Sequence, residues 1–217
     1  MSFDFRDSTA LFGGSFHPPH LGHTQAIEGL FRNPAVKKVI ILPSFGTPLK
    51  KVAVSFENRM EMAKLAFSHI PNIKISDFEF KHQTQYTWQL LDQFSSQVKN
   101  PVFVIGTDQF QKLDQWAKFP EVLGMSDWIV LLRKPTTLDH LKNVIQKYVQ
   151  DQILKPTIND HEFMAMGKRL MFVTTEAMEV SSTRLREQIS LHQWESVESF
   201  MSPQVKDYIL RNKIYGK

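Results

Sequence analysis

The sequence predicts an α/β fold in which a doubly wound parallel sheet carries a short C-terminal helical tail. Three observations support this. Short runs that are apolar throughout recur at residues 39–42 (VIIL), 102–105 (VFVI) and 128–132 (WIVLL). Strands of that kind are buried on both faces, as parallel strands are. Segments of helical periodicity separate them, and strand alternating with helix builds a sheet covered on both sides. Turn-formers, Pro43 and Gly106 among them, close the runs.

Residues 10–12 form the first strand and residues 20–31 the helix after it, with Ala26, Ile27, Leu30 and Phe31 at helical spacing. Residues 39–42 are the second strand. Ser55 caps a helix whose inner face is expected to be Phe56, Met60, Ala63 and Phe67. Ile73 and Ile75 begin a strand, and residues 87–94 form a helix. After the strands at 102–105 and 128–132, Leu138, Leu141, Ile145, Tyr148 and Val149 mark another amphipathic helix, and residues 170–173 a last strand. Residues 151–168 are expected to be an irregular insertion. Residues 182–208 read as short helices, with Pro203 in a first turn. The expectation is therefore one domain, residues 1–217, of Rossmann-like strand order 3-2-1-4-5, with residues 181–217 as its helical C-terminal part. In that order the first and fourth strands are neighbours at the switch point, and ligands bind beyond their carboxyl ends. The loops leaving those strands, residues 13–20 and 106–108, then face each other.

Composition narrows the function classes. The 217 residues suffice for one sizeable core, and 42% apolar with 12% aromatic residues suits a folded globule. The absence of cysteine excludes disulfides, thiol catalysis and cysteine-ligated zinc or iron–sulfur sites, and suits a reducing cytoplasm. Residues 1–7 lack the apolar stretch of a signal peptide, and no run nears the roughly 20 apolar residues of a membrane span. The net charge of +4, from 26 basic and 22 acidic residues, is dispersed along the chain. A nucleic-acid binder would show a dense basic stripe, whereas a few convergent cations suit a small anion.

The most unusual stretch is residues 11–23, LFGGSFHPPHLGH. Gly13 and Gly14 are expected to permit positive φ and close approach of the backbone to a ligand. Pro18 and Pro19 fix the turn, and the helix that follows aims its positive end into the crevice, where phosphate is favoured. His20 and His23 are expected on one face of the first turn, at the rim of the crevice, with Gly22 leaving room for a bulky ligand. Each imidazole offers an N–H to an oxyanion. The stretch is neither a Walker A loop nor a GxGxxG fingerprint, and it lacks the glutamate and third ligand of a zinc site. A second signal is residues 180–186, VSSTRLR. Hydroxyls opening a helix are a normal cap. Yet Ser181, Ser182 and Thr183 with Arg184 and Arg186 also make a phosphate clamp, since arginine in a first turn opposes the helix dipole unless an anion sits there.

Gly13, Gly14, Ser15, Phe16, His20, Gly22 and His23 resemble the GG[ST]FxP…HxGH motif of the nucleotidylyltransferase superfamily, and residues 180–186 its ISSTxxR motif. With Tyr86 and Thr87, Gly106 and Asp108, Trp116, and Arg133 two residues before Pro135, the whole chain resembles bacterial nicotinate-nucleotide adenylyltransferase. The resemblance implies transfer of the adenylyl group of ATP to nicotinate mononucleotide, giving deamido-NAD and pyrophosphate, with Mg²⁺ carried chiefly by the ATP phosphates. It implies that His20 and His23 stabilise the α-phosphate and that Ser182, Thr183 and Arg186 hold the leaving phosphates. Gly13, Gly14, Ser15, Phe16, Gly106, Asp108 and Ser181 would complete the ATP site. Lys50, Tyr86, Thr87, Asp108, Trp116 and Arg133 would serve the mononucleotide, the backbone at Tyr86 and Thr87 receiving its carboxylate. Trp116 is either a ring that stacks on the pyridine or a core aromatic, and Asp108 meets a ribose, caps a helix, or does both.

This chain departs from the family in having His17 where aspartate is common, and Leu49 where histidine often precedes Lys50. These departures bear on the choice of pyridine nucleotide and leave the phosphate motifs intact. The rival activities are adenylyl transfer to nicotinamide mononucleotide and, more remotely, phosphopantetheine or cytidylyl transfer. A regulatory nucleotide-binding module without catalysis is the rival of another class, and the intact histidine pair speaks against it. Neither a nucleic acid nor a membrane is expected as partner, and the oligomeric state is left open.

Overall fold

Side chains that alternate along a strand point to opposite faces, and the long strands of this protein are apolar at both sets of positions. They therefore build one sheet with a hydrophobic layer on each side. The structure, a computed structural model, describes residues 3–32, 36–46, 53–178 and 180–216. In order they form β1 (Thr9–Gly14), α1 (Leu21–Arg32), β2 (Lys38–Pro43), α2 (Phe56–Phe67), β3 (Ile73–Ile75), α3 (Phe78–His82) and α4 (Thr87–Phe94). Next come β4 (Pro101–Gly106), α5 (Thr107–Phe110), β5 (Asp127–Arg133), α6 (Lys142–Gln150), β6 (Leu154–Pro156), β7 (Glu162–Ala165) and β8 (Lys168–Thr175). The helices α7 (Ser182–Ser190) and α8 (Pro203–Arg211) end the chain's regular structure.

The sheet has eight strands in the order β3-β2-β1-β4-β5-β8-β7-β6. The first six run parallel, so the expected order 3-2-1-4-5 holds, and β1 pairs with β4 at the switch point. On one face Phe12, Ile41, Val104 and Leu131 pack against Ile27 and Leu30 of α1, Met62 and Phe67 of α2, Leu185 and Ile189 of α7 and Val205 and Ile209 of α8. On the other, Leu11, Ile40, Phe103 and Val130 pack against Leu90, Leu91 and Phe94 of α4, Phe110 of α5 and Tyr148 of α6.

Two expectations are corrected and one helix is added. Residues 151–168 are not irregular: β6 and β7 pair antiparallel and extend the sheet beyond β8, turning at Gly167 with φ 84°. Both strands are short, and Pro156 sits on the outer one, where a missing N–H leaves no ladder bond unmade. The inner face of α2 is Arg59, Met62, Ala63, Ala66 and Phe67, so the buried stripe is rotated from the expected one and carries a charge. The short α3 before α4 was not expected.

The C-terminal helices belong to the body of the fold. Ser202 accepts the Val205 N–H at 3.3 Å, with Pro203 opening α8, and Tyr208 Oη donates to Asn58 Oδ1 of α2 at 2.9 Å.

Gly22, in the first turn of α1, has a packing role. A Cβ there would stand 2.6 Å from the Met178 carbonyl oxygen, and the Met178 N–H donates to Gln25 Oε1 of the same helix at 2.8 Å. The space that glycine leaves is filled by backbone, not kept for a ligand. Gly22→Ala would gain up to about 1 kcal/mol of helix propensity, but overpacking against a carbonyl loses about 1–3 kcal/mol. A net loss of stability is expected in urea unfolding. Gly13→Ala, whose Cβ would meet only the Phe103 ring at 3.7 Å, should leave the midpoint near wild type.

Candidate active site

β1 delivers the chain to the switch point at Gly14, and residues 15–20 form the loop that leads into α1. Neither Gly13 nor Gly14 has positive φ, contrary to expectation; Phe16 has, at 46°. That conformation turns the Phe16 ring inward, where it is buried. It meets Phe67 at 5.6 Å and His23 at 5.3 Å between ring centroids. A Cβ on Gly14 would come within 3.0 Å of the same ring. Phe16 is thus the floor of the loop, and a ligand can meet only its backbone.

The two histidines lie together on this floor. Their rings stack at 3.7 Å and 30°. The His20 N–H donates to His23 Nδ1 at 3.2 Å, which fixes the proton of His23 on Nε2. His20 precedes α1 and is 3% exposed, so it lies inside the crevice rather than at its rim. Burial, with the Arg133 charge adding to it, pushes the His20 imidazole down to about 4. Burial pushes His23 well below the ordinary value too, helped by His20 and Arg133. Both are neutral at pH 7, each with one N–H to donate. His20 Nδ1 is buried with no hydrogen-bond partner among the described residues.

The neighbouring strands supply a cation and a carboxylate. Arg133 ends β5, and its Nη2 lies 3.7 Å from Asp108 Oδ2 in the first turn of α5. The residue in the cap position of α5 is Gly106, so the capping reading of Asp108 falls. The Asp108 side chain is 76% exposed and its ion pair is correspondingly weak. A Cβ on Gly106 would meet nothing closer than Arg133 Nη2 at 3.9 Å, leaving the mouth of the crevice open.

The C-terminal motif closes onto the same loop. Ser181 caps α7, its Oγ accepting the Arg184 N–H at 3.4 Å. Ser182 Oγ donates to the Pro18 carbonyl at 3.1 Å. Arg186 lies just past the first turn; its Nη1 donates to the His17 carbonyl at 2.7 Å and its Nη2 to Thr183 Oγ1 at 3.0 Å. The N-terminus of α7 therefore adjoins the loop that starts α1, and both helix ends carry partial positive charge. Arg184 points into solvent.

The residues ascribed to the mononucleotide are less concentrated. Among the described residues, no hydrogen bond joins Tyr86, Thr87 or Trp116 to the histidine loop. Tyr86 is 41% exposed. The N–H groups of Gln85 and Tyr86 both donate to Gln89 Oε1, at 3.0 and 3.2 Å, so the Tyr86 donor is already occupied. Thr87 is half-buried at the start of α4. Trp116 is half-buried, edge-on to Trp128 at 6.3 Å. Lys50 and Leu49 lie outside the described residues. Arg59, buried beside Ser15, escaped sequence reasoning. Its signal is present, since a charge sits in register with Met62, Ala63 and Ala66 on the apolar face of α2.

Comparisons with known proteins show the family and the fold. The profile of the Cytidylyltransferase-like family matches residues 11–188. A probable nicotinate-nucleotide adenylyltransferase of Caldicellulosiruptor bescii is 31% identical, covering 96% of this chain and 98% of that one. One of Leptospira interrogans is 32% identical, covering 96% and 97%. In fold the chain resembles the Plasmodium falciparum nicotinic acid mononucleotide adenylyltransferase solved with NaAD, at a TM-score of 0.75 and 16% identity, over 96% and 97% of the two chains. The same enzyme solved with APC gives a TM-score of 0.73 at 14% identity, over the same shares of the two chains. The chain belongs to the cytidylyltransferase-like family and, within it, to the nicotinate-nucleotide adenylyltransferases.

Proposed function

We propose that this protein transfers the adenylyl group of ATP to nicotinate mononucleotide, releasing pyrophosphate and forming deamido-NAD. The observation that carries this is the clasp of α7 on the loop before α1, through Arg186 to the His17 carbonyl and Ser182 to the Pro18 carbonyl. It sets the hydroxyls and guanidinium of one motif beside the imidazoles of the other. A phosphate oxygen of the mononucleotide attacks the α-phosphorus in line, and the bond to the β-phosphate oxygen breaks. His20 and His23 donate N–H bonds to the α-phosphate as its charge redistributes, while the Ser182 backbone N–H, the Thr183 hydroxyl and the remaining N–H groups of Arg186 hold the departing pyrophosphate. Arg133 adds positive potential, and Asp108 meets the sugar. No side chain acts as nucleophile, because positioning and electrostatics suffice for such transfers.

Among the described residues no three histidine or carboxylate side chains converge as a metal cage. The donors around the loop are imidazole, guanidinium and hydroxyl, which suit phosphate oxygens. Mg²⁺ fits as an ion that would be held chiefly by the triphosphate, with Asp108 the carboxylate at the start of α5. When bound it neutralises charge on the leaving phosphates. Residues 1–217 act as one catalytic domain, since all described strands share a sheet and α7 shapes the site. A cytoplasmic reaction is supported by the cysteine-free sequence, which suits a reducing compartment; no described helix is long and apolar enough to cross a membrane.

His20→Ala and His23→Ala should each lower turnover about 10²–10³-fold, the effect of one preorganised donor, in a pyrophosphate-release assay. Wild-type turnover in either variant would remove that histidine from the mechanism.

Arg186→Ala should weaken ATP binding by about 1.5–3 kcal/mol, the range for hydrogen bonds to charged groups. Arg184→Ala should matter less, because its side chain faces solvent. Titration calorimetry with ATP tests the ordering.

Nicotinate mononucleotide should be preferred over the amide form. An N–H donor that a carboxylate oxygen would accept is left facing the amide NH₂, a mismatch of about 1–3 kcal/mol or roughly tenfold to a hundredfold in kcat/KM. Competition between the two at saturating ATP measures this, and equal values would mean a rebuilt pocket.

A further inference from the structure

Arg59 is 1% exposed, a degree of burial rare for a charged side chain. Its guanidinium is spread over three backbone carbonyls: Nη1 donates to Ser15 at 3.0 Å, Nε to Val54 at 3.4 Å and Nη2 to Phe45 at 3.5 Å. The guanidinium carbon also lies 5.4 Å from the centre of the Phe56 ring. These carbonyls belong to the loop leaving β1, the segment before α2 and the loop leaving β2. The planar fork of arginine can hold several acceptors in fixed directions, which a lysine cannot. Phe45 is gripped from its other side as well, its N–H donating to Glu79 Oε2 of α3 at 3.2 Å. Burial pushes the Glu79 carboxyl up to about 8, against the pull of the Phe45 N–H and of Arg59. Near neutral pH it serves Phe45 chiefly as an uncharged acceptor.

We propose that Arg59, with Glu79 on the far side of Phe45, is a positioning residue that sets the spacing between the loop leaving β1 and the loop leaving β2. This rests on the adenylyl-transfer reading, in which the first loop takes ATP and the second, which leads to Lys50, takes the mononucleotide. Each loop alone orients only one reactant. In-line attack needs the two reacting atoms about 3–3.5 Å apart, and a displacement of about 1 Å can lower the rate about 10²-fold. A brace between the loops therefore acts on kcat, while each substrate still finds its own loop.

The test is steady-state kinetics of Arg59→Lys, Glu79→Ala and Glu79→Gln, varying ATP and nicotinate mononucleotide in turn, with a melting curve for each variant. Arg59→Lys keeps the charge but not the fork, and Glu79→Ala frees the Phe45 N–H. Both should lose about 10–100-fold in kcat, with each KM within about threefold of wild type. Glu79→Gln retains an acceptor oxygen and should return turnover close to wild type. Unchanged kcat in Glu79→Ala or in folded Arg59→Lys, a loss confined to one KM, or Glu79→Gln as slow as Glu79→Ala would each overturn the inference. Should Arg59→Lys fail to melt cooperatively, the Glu79 pair decides. A wild-type protein inert with these substrates would instead overturn the adenylyl-transfer reading and this inference together. An active wild type with unaffected variants overturns this inference alone.

Discussion

Two hydrogen bonds that span most of the chain hold the crevice in one shape: Arg186 to the His17 carbonyl and Ser182 to the Pro18 carbonyl. Both acceptors lie in the turn before α1, ahead of the helical ladder that would otherwise occupy them. Buried carbonyls left without donors lose free energy comparable to a hydrogen bond, so the turn depends on α7 for its conformation. The stacking of His20 on His23 depends in turn on that conformation, because the bond between them starts from the His20 backbone. The start of the C-terminal helical part, which the sequence marks as a phosphate clamp, is therefore part of the wall of the candidate site. The packing of α1 on the Met178 backbone, over a glycine, works in the same direction from the other side of the helix.

Much of this was legible in the sequence, and the parts that were not share a cause. The parallel strands announce themselves because burial on both faces demands unbroken apolar runs, as in 102–105 and 128–132. That the segments after β1 and β4 adjoin follows from strand order alone, although residues 107–108 already belong to α5, and the hydroxyl-rich start of α7 follows from capping chemistry. The β6–β7 hairpin does not announce itself, because an edge pair of three and four residues is held by neighbours rather than by its own pattern. Gly14 lacks the positive φ expected of it, and the spaces at Gly14 and Gly22 are each set by what lies across from them, the Phe16 ring in one case and a carbonyl 156 residues away in the other. Arg59 does not stand out in the sequence because a helical apolar stripe is defined by its apolar members, and a buried charge is the exception that only tertiary acceptors explain.

The charge states around the loop divide the labour of the proposed reaction. Arg133 and Arg186 carry guanidinium cations that draw an anion from a distance. A cation fixed in place favours bound triphosphate and transition state alike, and uniform binding of that kind does not raise turnover. The imidazoles differ. Two protonated rings 3.7 Å apart would repel, and burial already disfavours either charge. In the proposed reaction they would therefore meet the substrate as neutral donors, His23 aligned in advance by the His20 N–H. A neutral donor gains most where charge accumulates on its acceptor, which for the α-phosphate happens during transfer. Affinity is thereby assigned to groups charged before the substrate arrives, and rate to groups whose strongest partner exists only while the phosphoryl bond is changing hands.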